Sequence, residues 1–90
     1  MTRILQAVKQ ATTEKGDLLQ LDYYLLSEYQ EDWDMEQYGV EVTLTTGNQQ
    51  ESDQVLRVTP IQQSIESLID QLAEQTVTPS ALREILLDIL

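Results

Sequence analysis

Residues 28–39, EYQEDWDMEQYG, concentrate five carboxylates, the only tryptophan, two tyrosines and a methionine. Three kinds of chemistry could use such a stretch: a metal loop, paired carboxylates acting as acid and base, or a docking surface for a basic partner. Calcium loops of the helix–loop–helix type need acids at alternating positions, a Gly at the sixth position and a Glu at the twelfth. Asp32, Asp34 and Glu36 supply the alternation. The sixth position from Asp32 is Gln37 and the twelfth is Thr43, so the motif fails. Weak divalent-cation or small-ligand binding by clustered carboxylates is kept as an alternative reading.

Catalysis finds little to work with. The chain has no His and no Cys. It therefore lacks the usual acid–base group near neutral pH, the commonest transition-metal ligand and any thiol nucleophile. Ser27, Ser52, Ser64, Ser67 and Ser80 have no His to activate them and no nucleophile elbow around them. Gly16, Gly39 and Gly47 are isolated, so no phosphate-cradling loop is present. Among 16 acidic residues, chance carboxylate pairs are inevitable, and a chain of 90 residues leaves little room for a desolvated cleft. The expectation is no enzymatic activity and no cofactor.

Docking is the chemistry that survives. Trp, Tyr and Met are favoured at interface cores. The candidate partner-binding residues are Trp33, Tyr29, Tyr38 and Tyr24, with Asp32, Asp34 and Glu36 as the charged surround. The ordinary role for the tyrosines is packing between neighbouring strands. Trp33 is the sharper candidate, because a loop Trp among acids either tucks over a sheet or projects as an anchor.

The bulk charge agrees with a non-nucleic-acid role. Five basic residues against 16 acidic ones give a formal net charge of −11. Phosphate backbones and anionic membrane surfaces repel such a chain. Residues 1–10 lack the long apolar run of a secretory signal, and no apolar stretch approaches the ~20 residues that span a bilayer. A cytoplasmic protein is expected.

Several elements must position these residues. Residues 1–13 fit either a helix, with Ile4, Leu5 and Val8 on one face, or the first arm of a hairpin turning at Lys15-Gly16-Asp17. The strand is favoured because strand-like sequence follows. Residues 18–29 place Leu19, Leu21, Tyr23 and Leu25 on one side and Asp22, Tyr24 and Leu26 on the other, as in a central strand. Residues 38–46 alternate Val40, Val42 and Leu44 with Glu41, Thr43 and Thr45, the clearest strand in the chain. A polar turn is expected at 47–53 and a short strand at 54–58.

The period then becomes helical. Ile61, Ile65, Leu68, Ile69 and Leu72 form one stripe. Thr59, Pro60 and Gln62 have the spacing of an N-terminal capping box. Val77-Thr78-Pro79 opens a second helix in similar fashion, with Val77 and Leu82 as a hydrophobic staple and Leu82, Ile85, Leu86 and Ile89 as the buried stripe. Leu87 and Leu90 are surplus apolar positions. The fold class is therefore α+β, a single domain over residues 1–90: a small antiparallel sheet of three or four strands, in the order β-β-β-β-α-α, with two C-terminal helices packed on one face. The other face carries Asp22, Glu41, Thr43 and Thr45 and is expected to stay wet, with Tyr24 and Leu26 open to a partner.

Tyr23-Tyr24-Leu25-Leu26, Tyr38-Gly39-Val40-Glu41-Val42 and Val77-Thr78-Pro79 with Leu82 together resemble a family of short uncharacterised proteins, a domain of unknown function found mainly in clostridia and their relatives. The resemblance covers the chain from about residue 20. It implies a cytoplasmic bacterial protein and no particular chemistry.

The function expected from these residues is a small acidic, non-enzymatic interaction or adaptor module, with self-association as one use of its surplus apolar surface. The alternatives are an anti-regulator or DNA mimic that engages a basic nucleic-acid-binding partner, and the divalent-cation or small-ligand binder already described.

Overall fold

The computed structural model describes residues 1–89; the surplus apolar position Leu90 lies outside them. Four strands form one antiparallel meander: β1 (Thr2–Thr12), β2 (Leu18–Gln30), β3 (Met35–Thr46) and β4 (Gln49–Thr59). Two helices follow, α1 (Gln62–Glu74) and α2 (Leu82–Ile89), the second entered through a 3-10 turn at Pro79–Ala81. Residues 1–13 are thus a strand and its exit, as favoured above.

Alternation in β2 and β3 sends Leu21, Tyr23, Leu25, Val40 and Val42 to one face. There they meet Ile65, Leu68, Ile69, Leu72 and Ala73 of α1, with Val77, Leu82 and Leu86 beyond it. Both helices lie on this face and build one core. The centre of that core holds a polar tie. The Tyr23 hydroxyl donates to the Val77 carbonyl at 2.8 Å, so the fully buried phenol is anchored to the segment joining the helices. That segment leaves α1 abruptly. Val77 N–H bonds the Leu72 carbonyl and Thr76 N–H bonds the Ala73 carbonyl, the paired bonds of a Schellman motif. Thr76 occupies the left-handed position at φ 54°, where Gly is usual. At the edge, Arg83 of α2 holds Asp53 of β4 at 2.9 Å and the Gln54 carbonyl at 3.0 Å. The bonded guanidinium keeps the Asp53 carboxyl below its ordinary range.

Several boundaries differ from the sequence expectation. β3 begins at Met35 rather than Tyr38, and β4 begins at Gln49 rather than Gln54. Gln49–Asp53 are polar because β4 is an edge strand with exposed side chains, not because they form a turn. The turn is only Gly47 and Asn48, with Gly47 at φ 57°. α1 starts two residues late. Ile61, not Thr59, precedes its first turn, no side chain caps it, and Thr59 Oγ1 instead accepts the Ile61 N–H at 3.1 Å. The capping box does not form, and Ile61 is exposed rather than part of the buried stripe. Pro79 does sit in the first turn of its helical segment, with Thr78 before it, although Thr78 makes no capping bond. Val77 and Leu82, the expected staple, are both buried. In α2, Leu82 and Leu86 are buried and Ile85 packs against the core, but Ile89 is exposed.

The outer face is not uniformly wet. Leu26 is only 2 % exposed. Its cross-strand partner is Gly39, and β4 bulges opposite Gly39: Tyr38 pairs with Thr59 while Val40 pairs with Val55. Arg57, at φ 54°, turns the bulge, and its Nε lies 3.4 Å from Glu28 Oε1. The β4 backbone thereby crosses the outer side of Gly39, beside Leu26. A Cβ at Gly39 would overlap the Val55 carbonyl oxygen and lie 3.0 Å from Leu56 Cα. Leu26 is therefore spent on the fold and is not open to a partner.

Two outcomes are expected. Gly39→Ala forces the bulge away from β3 and costs on the order of 1–3 kcal/mol, measured by urea unfolding. Burial pushes the Tyr23 phenol up from 10.0 to about 12. Between pH 10 and about 12 the unfolded chain ionises at Tyr23 while the folded chain does not, so stability falls as pH rises through that window. Tyr23→Phe should lower stability by ~1–2 kcal/mol at neutral pH, because the Val77 carbonyl loses its donor, and should flatten the alkaline decline. Thermal melts across the pH series check both effects.

Candidate functional site

The β2–β3 ladder continues without a break to Tyr29↔Glu36 and Gln30↔Met35. EYQEDWDMEQYG is therefore a regular hairpin end, not an irregular connection. Only Glu31, Asp32, Trp33 and Asp34 form the loop. Trp33 N–H bonds the Gln30 carbonyl at 3.3 Å and Asp34 N–H bonds the Glu31 carbonyl at 3.2 Å. Asp34 closes the loop at φ 51°, a left-handed conformation that Asp tolerates better than most residues. Its carboxylate then accepts the Tyr29 hydroxyl, and that bond holds the phenol proton on and raises its pKa.

This geometry answers the question about Trp33. The side chain is 59 % exposed and projects from the tip. Tyr29 and Met35 beside it are also exposed. Glu31, Asp32, Asp34 and Glu36 are exposed around them. The tip is thus convex: Trp33 projects from the loop, Tyr29 lies on the helix-side face of the hairpin and Met35 on its outer face, with carboxylates around them. Its loop is fixed by the ladder beneath it and by the Tyr29–Asp34 bond.

Of the seven candidate residues, the fold gathers Trp33, Tyr29, Asp32, Asp34 and Glu36 at this tip. Tyr38 is elsewhere: it is half-buried and packs against the core. Tyr24 is also elsewhere, on the outer face. The Arg3 guanidinium lies 3.6 Å from its ring centroid, and Arg3 Nη2 is 2.7 Å from Glu41 Oε2. That hydrogen bond raises the Arg3 pKa. The Arg3 contact depends on β1 lying beside β2, which residues 1–13 left open. Two tip residues, Met35 and Glu31, were not singled out from the sequence. The signal for Met35 was the alternation from Tyr38 backwards, which places residue 35 on the ladder.

Among the described residues, no three His, Cys, Asp or Glu side chains come close enough together to hold a metal ion. Nor is any helix there long and apolar enough to cross a membrane. An apolar depression lined by Val55, Arg83, Leu86 and Leu87 lies beside the Arg83–Asp53 pair.

Residues 2–90 match a family of unknown function, DUF6514. The chain belongs to that family. No curated protein and no solved structure gives a match. The family match extends over β1 as well as the strands and helices on which the resemblance rested.

If Trp33 contributes nothing to the core, Trp33→Ala should shift unfolding free energy by no more than about 0.5 kcal/mol. Chemical denaturation of the variant measures this directly. A loss of several kcal/mol would mean the indole packs on the sheet.

Proposed function

We propose that the chain is a non-enzymatic interaction module that docks on a basic protein surface through the tip of its β2–β3 hairpin. The observation that carries this reading is Trp33, held out at the end of a fixed hairpin between acidic neighbours. Exposed Trp is a costly side chain to leave in water and a common source of binding energy at interface centres. The surrounding carboxylates steer and orient a cationic partner, while the indole supplies the apolar centre, flanked by Tyr29 on one face of the hairpin and Met35 on the other. The tip is convex, which suits insertion into a groove and does not suit enclosing a small substrate. The missing His and Cys point the same way.

A DNA mimic would spread carboxylates along one surface at phosphate-like spacing. Here Glu31, Asp32, Asp34 and Glu36 crowd one tip, which favours a local docking contact over mimicry of a duplex.

The test is affinity capture from the native host with wild-type chain, Trp33→Ala, and Glu31→Gln with Asp32→Asn. Trp33→Ala should weaken binding of the captured partner at least roughly tenfold while its melting temperature stays unchanged. Wild-type binding should weaken as salt is raised, and the charge-neutralised chain should show a shallower salt dependence. Equal binding by all three chains at every salt concentration would refute the proposal.

A further inference from the structure

We infer that β1 is a self-pairing edge and that two copies of the chain join through it in an antiparallel β1–β1 ladder. The inference does not depend on the role of the hairpin tip. β1 is the outer strand of the sheet, eleven residues long, paired only with β2. Its outward edge offers a row of backbone donors and acceptors of the kind that pairs with another strand. Ile4, Leu5 and Val8 on it are each about half exposed (52 %, 51 % and 45 %).

Charge singles out the occupant. Among the described residues, β1 is the one strand or α-helix without an acidic residue; each of the others carries at least two. For a chain of net charge −11, this edge is where a second copy meets least repulsion. The opposite edge, β4, carries Glu51 and Asp53 and is broken by its bulge.

The register follows from the irregularity at Gln6. Leu5 pairs with Tyr24 and Ala7 with Tyr23, so Gln6 is an extra residue. The bulge shifts the alternation by one, and Leu5 and Val8, three apart, both lie on the outer face. A two-fold axis between Gln6 and Ala7 then sets Leu5 of each copy opposite Val8 of the other, and Arg3 opposite Gln10. On the helix side it sets Ile4 opposite Lys9. Faces match throughout, and no like charges stand opposite. The bulge would disturb pairing with an unrelated strand, but a second copy brings the same bulge to the same place.

Lys9 completes the complementarity. Among the described residues it has no carboxylate partner in its own chain, whereas Arg3, Arg57 and Arg83 each have one. In the paired register Lys9 reaches the helix side of the second copy's Ile4, two residues from Gln6. There α1 is held against β1 by Gln6 Nε2, which donates to the Glu66 carbonyl at 3.0 Å and to Asp70 Oδ1 at 3.3 Å. Asp70 and Glu66 are the carboxylates that Lys9 meets.

Sedimentation equilibrium across a concentration series tests the association, and engineered cysteines test the register, with no native Cys to interfere. The wild-type chain should approach twice its monomer mass. Val8→Lys should raise the dissociation constant at least roughly tenfold, because a lysine would then face Leu5 of the second copy. That variant keeps its fold, since residue 8 pairs with Asp22 of its own β2; circular dichroism checks this. Under oxidation, the double variant Leu5→Cys, Val8→Cys should give a disulfide-linked dimer, and either single variant little or none. A monomer mass at every concentration, a dimer indifferent to Val8→Lys, or equal cross-linking by the single variants would overturn the inference.

Discussion

The hydrogen bond from the Tyr23 hydroxyl to the Val77 carbonyl fixes how the two layers of this molecule meet. Tyr23 stands on a central strand and reaches through the core to the chain between the helices. A buried phenol without a partner would be costly, and so would a buried carbonyl without a donor. The bond therefore admits only a narrow range of positions for residue 77. That position requires α1 to stop at Glu74 and reverse, which Thr76 does in a conformation that strains a β-branched residue. α2 can then fall beside β4, where Arg83 finds Asp53. Sheet, reversal and second helix are one linked arrangement.

The two edges of the sheet are built on opposite plans. β4 is charged and is bent across Gly39 by a bulge of two extra residues, so the bulged segment shelters Leu26 before the ladder resumes at Tyr38 and Thr59. β1 has a single-residue bulge and no acids. The hairpin tip joins the two central strands and so lies clear of both edges. Its loop is held by the ladder and by the Tyr29–Asp34 bond, with no helix packed over it among the described residues, which explains how Trp33 can be both fixed in place and exposed.

Much of this was legible from the residues. The alternation of Val40, Val42 and Leu44 marked β3, and the stripe Ile65–Leu72 marked α1, because in both cases burial on one side dictates the period. Where burial does not dictate the residue types, the sequence was misleading. Gln49–Asp53 read as a turn because an edge strand facing water needs no apolar alternation. Residues 1–13 also admitted a helix, though the strand was favoured, for a physical reason: Ile4, Leu5 and Val8 stand at spacings of one and three, which resemble a helical face and which the bulge at Gln6 reconciles with a strand. The burial of Leu26 depends on a bulge thirty residues away in sequence. The direction of Trp33 depends on where the ladder stops, and a shorter β3 would have left it undetermined. Thr59 was placed for a cap, but the local bond to Ile61 N–H satisfied it first.

The mismatch in length between the layers has a dynamic consequence. Strands of 11–13 residues run about 40 Å, whereas α1 spans about 20 Å. The molecule is accordingly long and thin, 49 × 25 × 18 Å. Cover from the helices is concentrated on the middle rungs, around Leu21–Leu25 and Val40–Val42. The rungs that join Thr12 to Leu18 and Thr46 to Gln49 are held mainly by their own main-chain bonds. Their amides belong to a low-energy opening unit that exchanges with solvent while the centre stays closed. The protein should thus behave as a rigid middle with one fraying end, and the sheet can loosen there without disturbing the Tyr23 tie.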